Sequence, residues 1–552
     1  MKKIFFLLLI AICGAGIYGL FFLSNRSSGE TSDKYREFSF ISEGEDIEKT
    51  EFKRNEGMYF LSLDYIKEYL DEDAYYDENE KTVVLVNDAG TKRIKIDSTK
   101  YDLNGQEMEL RQPATEKDGK IFLPIEAFIY DYPVSLRFVN DKNLLLLDFE
   151  NIEYAKGIST GNGLNMREED SIKSPIVSIL KDEEEVYVYG EIGDFYKVRQ
   201  INGYMGYIQK DLLEVNFPEN RFEIEKNEKK EAMKPLNLTW DYTYGVQSDE
   251  SVENIKNIPG LDVICPTWFS ISDTEGSVTD RGNYSYVRAY ENLGIDVWGY
   301  LDNSFDSEIT HEVLGSSSKR AKVINKTFNL VKKYNLSGIN VDFEQINIED
   351  RDLITQFVRE LAGVFKTEKL IVSVDVTPQI SGNVENEPYD RKKLSEICDY
   401  VMVMAYDQHW ASSEKAGSVA EYTWVEGNIN NLFRSIPKEK FILCVPFYSR
   451  LWEESGDSLS SSAISMGRVR EIINSKGLTP AWDDEIKQNY VEYSENGKKY
   501  KMWIENSSSV EWKAKLINKY NLRGIASWQK GFETSDVWNI ISDILKDNIH
   551  NQ

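Results

Sequence analysis

Residues 335–347 read Asn-Leu-Ser-Gly-Ile-Asn-Val-Asp-Phe-Glu-Gln-Ile-Asn, and from Gly338 to Glu344 polar and apolar side chains alternate. Successive side chains of a β-strand point to opposite faces. As a strand, this stretch sets Asn340, Asp342 and Glu344 on one face and Ile339, Val341 and Phe343 on the other. Neighbouring carboxylates resist ionising together, and a carboxyl group kept protonated near neutral pH can serve as a general acid. A surface strand with alternating charges would show the same pattern, so the surrounding sequence has to decide.

Outward from this stretch, short apolar runs recur at Leu236–Tyr242, Leu261–Trp268, Ile295–Leu301, Ser337–Glu344, Leu370–Val376, Tyr400–Tyr406, Phe441–Tyr448 and Gly524–Trp528. Helix-like stretches such as Lys319–Tyr334, Leu353–Thr367 and Val510–Tyr520 separate most of them. Strands alternating with helices predict a parallel sheet, and eight such units predict an α/β chain closing into a (β/α)8 barrel. In that fold chemistry gathers at the C-terminal strand ends, and Glu344 ends the fourth run. Other run ends carry Tyr406 and Asp407, Trp528, Trp240 and Tyr242, Trp268, and Phe447, Tyr448 and Trp452. Pyranose rings have apolar faces that stack on flat side chains. Aromatics gathered around carboxylates therefore point to a saccharide cleft, although packing alone would explain any single one.

Residues 234–552 resemble glycoside hydrolase family 18, the chitinase-like (β/α)8 hydrolases. The fourth-strand signature of that family, Asp-Gly-x-Asp-x-Asp-x-Glu, stands here as Ser337-Gly338-Ile339-Asn340-Val341-Asp342-Phe343-Glu344. The Gly, the last Asp and the Glu match, whereas Ser337 and Asn340 replace Asp. The family's Met-x-Tyr-Asp stands as Met404-Ala405-Tyr406-Asp407 and its eighth-strand Trp as Trp528. In style the chain is closest to members from spore-forming Gram-positive bacteria that act on cell wall or spore cortex. The resemblance implies hydrolysis of β-1,4-linked N-acetylglucosamine glycans by a retaining, substrate-assisted route. Glu344 would act as acid and then as base, and the substrate's 2-acetamido oxygen as nucleophile. Asp342 would hold the acetamido N–H, Tyr406 its carbonyl, and Trp528 would floor the sugar. Asn340, Asp407, Trp268 and Tyr448 would complete the substrate-binding cleft. Asn340 is expected to donate a hydrogen bond to Asp342 and, unable to exchange a proton with it, to shift the pH optimum.

Composition narrows the partners. Lys and Arg number 65 against 93 Asp and Glu, a net charge of −28. Such an acidic surface disfavours nucleic acid and anionic wall polymers as ligands and leaves neutral glycans open. The histidines are His311, His409 and His550, and the cysteines Cys13, Cys265, Cys398 and Cys444. No CxxC or His-x-x-His spacing exists, so no metal site and no cofactor is expected. Cys265 and Cys444 fall in barrel strands and are expected as buried thiols.

Upstream, Lys2 and Lys3 precede an apolar run from Ile4 to Leu23. That run is long enough to cross a bilayer, with the lysines on the cytoplasmic side. Residues 1–30 are therefore expected as a signal anchor or transmembrane helix, with a cleaved signal peptide as the rival. The protein would then act outside the cytoplasm, at the wall. Residues 24–50 are polar and read as a tether. Residues 51–150 show short strands at Thr82–Val86, Arg93–Ile96 and Leu144–Phe149 and a helix-like Ser62–Leu70. Within them Tyr101-Asp102-Leu103-Asn104-Gly105-Gln106 and Ile121-Phe122-Leu123-Pro124-Ile125-Glu126 resemble the domain named after the N-terminus of copper amine oxidases. No histidine precedes His311, so the name does not imply copper. Residues 151–215, with Gly163-Leu164-Asn165-Met166-Arg167 and Gly203-Tyr204-Met205-Gly206-Tyr207-Ile208, resemble the bacterial SH3-like domain, either a peptidoglycan anchor or a spacer. Residues 219–234 read as a charged linker.

The expected protein is a glycosidase acting on peptidoglycan in preference to chitin, with two small β-rich domains ahead of the barrel. The alternative is a non-catalytic glycan-binding protein of the cell wall or spore surface. Glu344 argues against that alternative, and Asn340 and Ser337 keep it open.

Overall fold

The computed structural model describes residues 27–139, 143–150, 152–217, 234–243, 245, 252–253, 255–378, 387–456 and 458–550. The chain forms two compact units, Met1–Glu72 with Leu110–Glu228, and Asp73–Glu109 with Lys229–Gln552. The apolar run Ile4–Leu23 and nearly all of the charged linker 219–234 lie outside the described residues. Among the described residues no helix is long and apolar enough to cross a membrane.

The second unit holds the barrel. Its strands are Leu236–Asp241, Val263–Pro266, Asp296–Asp302, Gly338–Asp342, Ile371–Val376, Tyr400–Met404, Phe441–Pro446 and Gly524–Trp528. Each pairs in parallel with the next, and the last pairs with the first, so the sheet closes. All eight apolar runs of the sequence carry a barrel strand. They read as near-continuous apolar runs because both faces of such strands are covered.

The alternation in the fourth strand takes its meaning from these two faces. Ile339, Val341 and Phe343 join the core between sheet and helices. Asn340 and Asp342 turn into the barrel, whose interior is filled by Leu238, Trp240, Cys265, Tyr300, Met402 and Cys444 among others. Gly338 is required by the close approach of the fifth strand, since a Cβ there would lie 2.8 Å from the Ile371 carbonyl oxygen. After the seventh strand an insertion builds a five-stranded antiparallel sheet from Tyr448 to Ile504, backed by the helix Met466–Lys476.

The expected 51–150 module is divided between the two units. Residues 73–109 form a five-stranded antiparallel meander that belongs with the barrel. Its side chains lock onto the helices Ser317–Tyr334 and Arg351–Lys366. Arg93 and Arg320 meet the Glu360 carboxylate at 2.7 and 2.8 Å, and Arg320 and Glu360 are both 0% exposed. Thr91 donates to the Glu360 carbonyl at 2.6 Å. Glu80 accepts the Ser318 N–H at 3.1 Å, placing a carboxylate at a helix N-terminus where it is favoured.

This docking explains a glycine in mid-helix. A Cβ on Gly363 would lie 2.6 Å from both Thr91 Oγ1 and Val86 Cγ1. Helix propensity alone favours Ala there by about 1 kcal/mol. We expect Gly363→Ala instead to destabilise the unit by about 1–3 kcal/mol, the usual cost of overpacking, as read from chemical denaturation. A more stable variant would show that the meander yields freely at this contact.

The first unit corrects the tether expected at residues 24–50. Ser39–Ser42 is a strand paired in parallel with Leu144–Leu147, and Phe40 and Ile41 are each 1% exposed. The run Phe38-Ser39-Phe40-Ile41 supplies apolar surface that a tether would have left in water. The helix Leu63–Tyr69 starts at Ser62, whose hydroxyl accepts the Tyr65 N–H. Residues 155–216 fold into a seven-stranded antiparallel sheet around Met166, Leu180, Val186, Val198 and Ile208. Arg199, 1% exposed, donates to both Asp148 oxygens at 2.8 Å and ties this sheet to the preceding strands.

Candidate active site

The fourth strand ends at Asp342, and Phe343 and Glu344 continue into the loop above it. Three contacts hold this exit. Asn303, fully buried, accepts the Glu344 N–H at 3.1 Å and donates to the Glu344 carbonyl at 2.7 Å. Tyr389 donates to the Phe343 carbonyl at 2.7 Å. With its backbone bound on both sides, Glu344 presents a half-buried carboxyl at the C-terminal rim of the barrel.

Below it, Asp342 is 4% exposed and accepts the Tyr300 hydroxyl on Oδ2 at 2.5 Å. Its Oδ1 is buried with no hydrogen-bond partner among the described residues. A third carboxyl, Asp375 of the fifth strand, is 1% exposed in the same interior. Burial pushes all three upward. Asp375 and Glu344 add to the effect at Asp342, and Glu344 adds to it at Asp375. For Glu344, burial and then the Asp407 charge carry the carboxyl up to about 7. It can thus be protonated at neutral pH, as a general acid must be.

The sixth, seventh and eighth strands add the rest. Asp407 accepts the Tyr448 hydroxyl at 2.6 Å, with Arg450 3.7 Å away. Tyr406 is half-buried, its ring edge-on to Tyr448 at 6.4 Å, and burial raises its phenol well above the ordinary range. Trp528 lies half-buried between Trp240 at 5.9 Å and Tyr242 at 6.0 Å. Carboxyls, a phenol and an indole therefore line one end of the barrel, the end where such folds carry chemistry.

The model for glycosyl hydrolases family 18 matches residues 261–533. That match covers just under half of the chain and places the similarity in the barrel. The copper amine oxidase N-terminal domain matches 44–144 and the bacterial SH3 domain 162–214. The uncharacterized glycosylase YvbX of Bacillus subtilis is 26% identical over 258 residues, 45% of this chain and 74% of that one. The cortical fragment-lytic enzyme of Bacillus subtilis is 23% identical over 48% of this chain and 62% of its own length, less than two thirds of that protein. The fold is shared with the spore cortex-lytic enzyme SleL of Bacillus megaterium, at a TM-score of 0.51 and 20% identity over 61% of this chain and 76% of that one.

Against the family 18 signature, the site residues read from sequence divide into two groups. Glu344, Asp342, Tyr406, Asp407 and Trp528 come together at the rim. Two of the expected substrate contacts do not reach it, and a third reaches it only as a support for Asp407. Trp268 is fully buried on the outer side of the sheet, against Tyr286 at 5.3 Å and Tyr334 at 5.8 Å, so no ring face is left for a sugar. The second strand stops at Pro266, and the side chain two residues on turns into the helix layer. Asn340 is fully buried and gives Asp342 no hydrogen bond. Its Nδ2 donates to Asp375 at 2.7 Å and Ser373 at 3.1 Å, and its Oδ1 accepts the Trp240 indole N–H at 2.9 Å. Tyr448, 5% exposed, spends its hydroxyl on Asp407 and serves as that residue's support. Ser337 lies at the opposite end of the fourth strand, where its hydroxyl meets the Val297 carbonyl at 3.3 Å, so it does not touch the rim chemistry.

Sequence reasoning missed Asp375, Tyr300 and Asn303. Asp375 carried a signal, for Ser373-Val374-Asp375-Val376 alternates as the fourth strand does. Tyr300 and Asn303 act through side-chain contacts to another strand, which leave no local pattern.

Proposed function

We propose that the chain hydrolyses β-1,4-linked N-acetylglucosamine glycans, with peptidoglycan preferred to chitin, by a retaining, substrate-assisted mechanism. One observation carries this reading: a half-open carboxyl, Glu344, stands at the rim above a second, Asp342, that is sealed at 4% exposure. Glu344 is half-open and protonatable, so it can donate to the glycosidic oxygen and later take a proton from water. Asp342 is sealed beneath it at 4% exposure, with one oxygen held by Tyr300. A retaining route through a protein carboxylate needs an accessible nucleophile. The reading therefore assigns the attack to the substrate's own acetamido oxygen, held by Tyr406 close to the anomeric carbon. Asp342, with its bare Oδ1, is the matching acceptor for the acetamido N–H and the counter-charge for the cationic intermediate. Trp528 offers the flat floor.

The preference for peptidoglycan draws on the bacterial SH3 match and on a relative named as a cortical fragment-lytic enzyme. We place the activity outside the cytoplasm, at the wall, with the run Ile4–Leu23 as anchor or signal. Mass analysis of products from purified peptidoglycan sacculi and from chitin oligomers tests the assignment. Products ending in reducing N-acetylglucosamine are expected from sacculi at the higher rate, and no cleavage of either polymer would refute the reading. Tyr406→Phe is expected to lower kcat by on the order of 100-fold, the scale of losing one donor to a developing charge. It should also weaken binding of a thiazoline mimic of the intermediate. Unchanged thiazoline affinity would remove Tyr406 from the acetamido contact.

A further inference from the structure

We propose that Asp375, on the neighbouring fifth strand, is a positioning residue for Asp342: tied by Asn340, it brings a second carboxyl into the buried interior that Asp342 occupies. The proposal deepens the reading given above and rests on it.

The geometry starts with Asn340. It shares a strand face with Asp342, two residues away, yet all its hydrogen-bonding capacity goes elsewhere. The amide oxygen takes the Trp240 indole N–H, and the amide nitrogen bonds Asp375 Oδ1 and Ser373 Oγ across to the fifth strand. Asn340 therefore fixes where the Asp375 carboxyl stands and leaves Asp342 to Tyr300 alone. A buried carboxylate with one unpartnered oxygen is costly to charge, and a second carboxyl in the same dry interior adds to that cost.

The Tyr300 hydrogen bond relieves it only in part. The other carboxyls facing Asp342 are Glu344 and Asp302. Tyr300, Tyr406 and Tyr389 face the pair from the third and sixth strands and from the loop before residue 391. Cys265 and Cys444 face it from the second and seventh strands. Every one of these groups is neutral or negative, and among the described residues no Lys or Arg hydrogen-bonds either carboxyl. Charging Asp342 is thus opposed in the resting site, and the charge that favours its ionisation is the cation formed on the substrate. Asp375 sets how strongly resting and charged states differ.

The test compares wild type and Asp375→Asn on a cleaved glycan, with kcat and KM followed separately across pH and folding checked by thermal melting. Asn is nearly isosteric and its carbonyl can still accept from Asn340. The limb of the kcat profile that reports Asp342 is expected to move toward acid. At the wild-type optimum kcat should fall about 10-fold, the rate equivalent of one charge-assisted hydrogen bond, with KM changed less than about threefold. The double variant Asn340→Asp with Asp375→Asn returns one carboxyl to this interior and should move the limb back. An Asp375→Asn profile of wild-type shape, merely scaled down, would mean a structural role and overturn the inference. So would a double variant no closer to wild type than the single one. Should Asp375→Asn not fold, Asn340→Ser carries the test, because it removes the N–H that favours the charged form of Asp375. The limb should again move toward acid, and an unmoved limb refutes the proposal. An inactive Glu344→Gln beside an unmoved Asp375→Asn profile refutes the role of Asp375 alone, whereas an active Glu344→Gln refutes the reading of the site.

Discussion

Glu344→Gln is expected to lower turnover at least about 100-fold while leaving the fold intact, the scale of losing general-acid catalysis. The change keeps the side chain's size, and the bonds that pin the residue, from Asn303 to its N–H and carbonyl, are to the backbone. The loss should therefore appear in kcat and not in thermal melting. The wild type adds a pH signature. Glu344 must be protonated to donate, and burial with Asp407 beside it holds its carboxyl at about 7. kcat/KM should fall as pH rises through that value. Asp407→Asn removes the smaller of the two causes and should carry this alkaline limb toward acid. Wild-type turnover in Glu344→Gln on a glycan that the wild type cleaves would end the assignment.

The second large effect lies far from the rim. Glu360→Gln leaves buried Arg320 without its counter-charge and buried Arg93 with Asp102 alone, at 3.2 Å. Breaking a buried pair by removing one partner costs about 3–5 kcal/mol, and we expect that loss in denaturant unfolding at neutral pH. Burial works to raise the Glu360 carboxyl, but Arg93 and Arg320 outweigh it and hold the group below its ordinary range. Its contribution is therefore full above the unfolded-state value and is lost as pH falls through the folded one. The gap between wild type and variant should close in acid. A gap that persists below the folded value would assign the cost to packing. A barrel cut at residue 234, which the sequence alone presents as free-standing, also loses Arg93 and Thr91 and should be unstable. A chain that keeps residues 73–109 with the barrel retains the lock.

Much of the fold was legible because parallel barrel strands are covered on both faces and so read as apolar runs bounded by helices. The fourth strand stood out for the opposite reason, since polar side chains entering a packed interior break that rule. The same break at Ser373 and Asp375 marks the fifth strand. Trp268 misled because an aromatic residue at a strand end can turn inward or outward, and the turn after Pro266 decides. Asn340 was read as a partner of Asp342 from proximity along one strand face. Its amide is instead saturated by Trp240, Ser373 and Asp375, on two other strands. The docking of residues 73–109 on the barrel was not legible at all. Which helix a hairpin meets depends on surface fit, and its one trace is Gly363, unexplained within its own helix.

The central claim is that the substrate supplies the nucleophile. The direct measurement is the initial rate of cleavage of matched peptidoglycan or chitin oligomers that carry either the 2-acetamido group or a free 2-amino group at the cleaved residue. The account predicts hydrolysis of the acetylated glycan with retained anomeric configuration, and no detectable hydrolysis of the free amine. Equal rates on the two, or an inverted product, would contradict it.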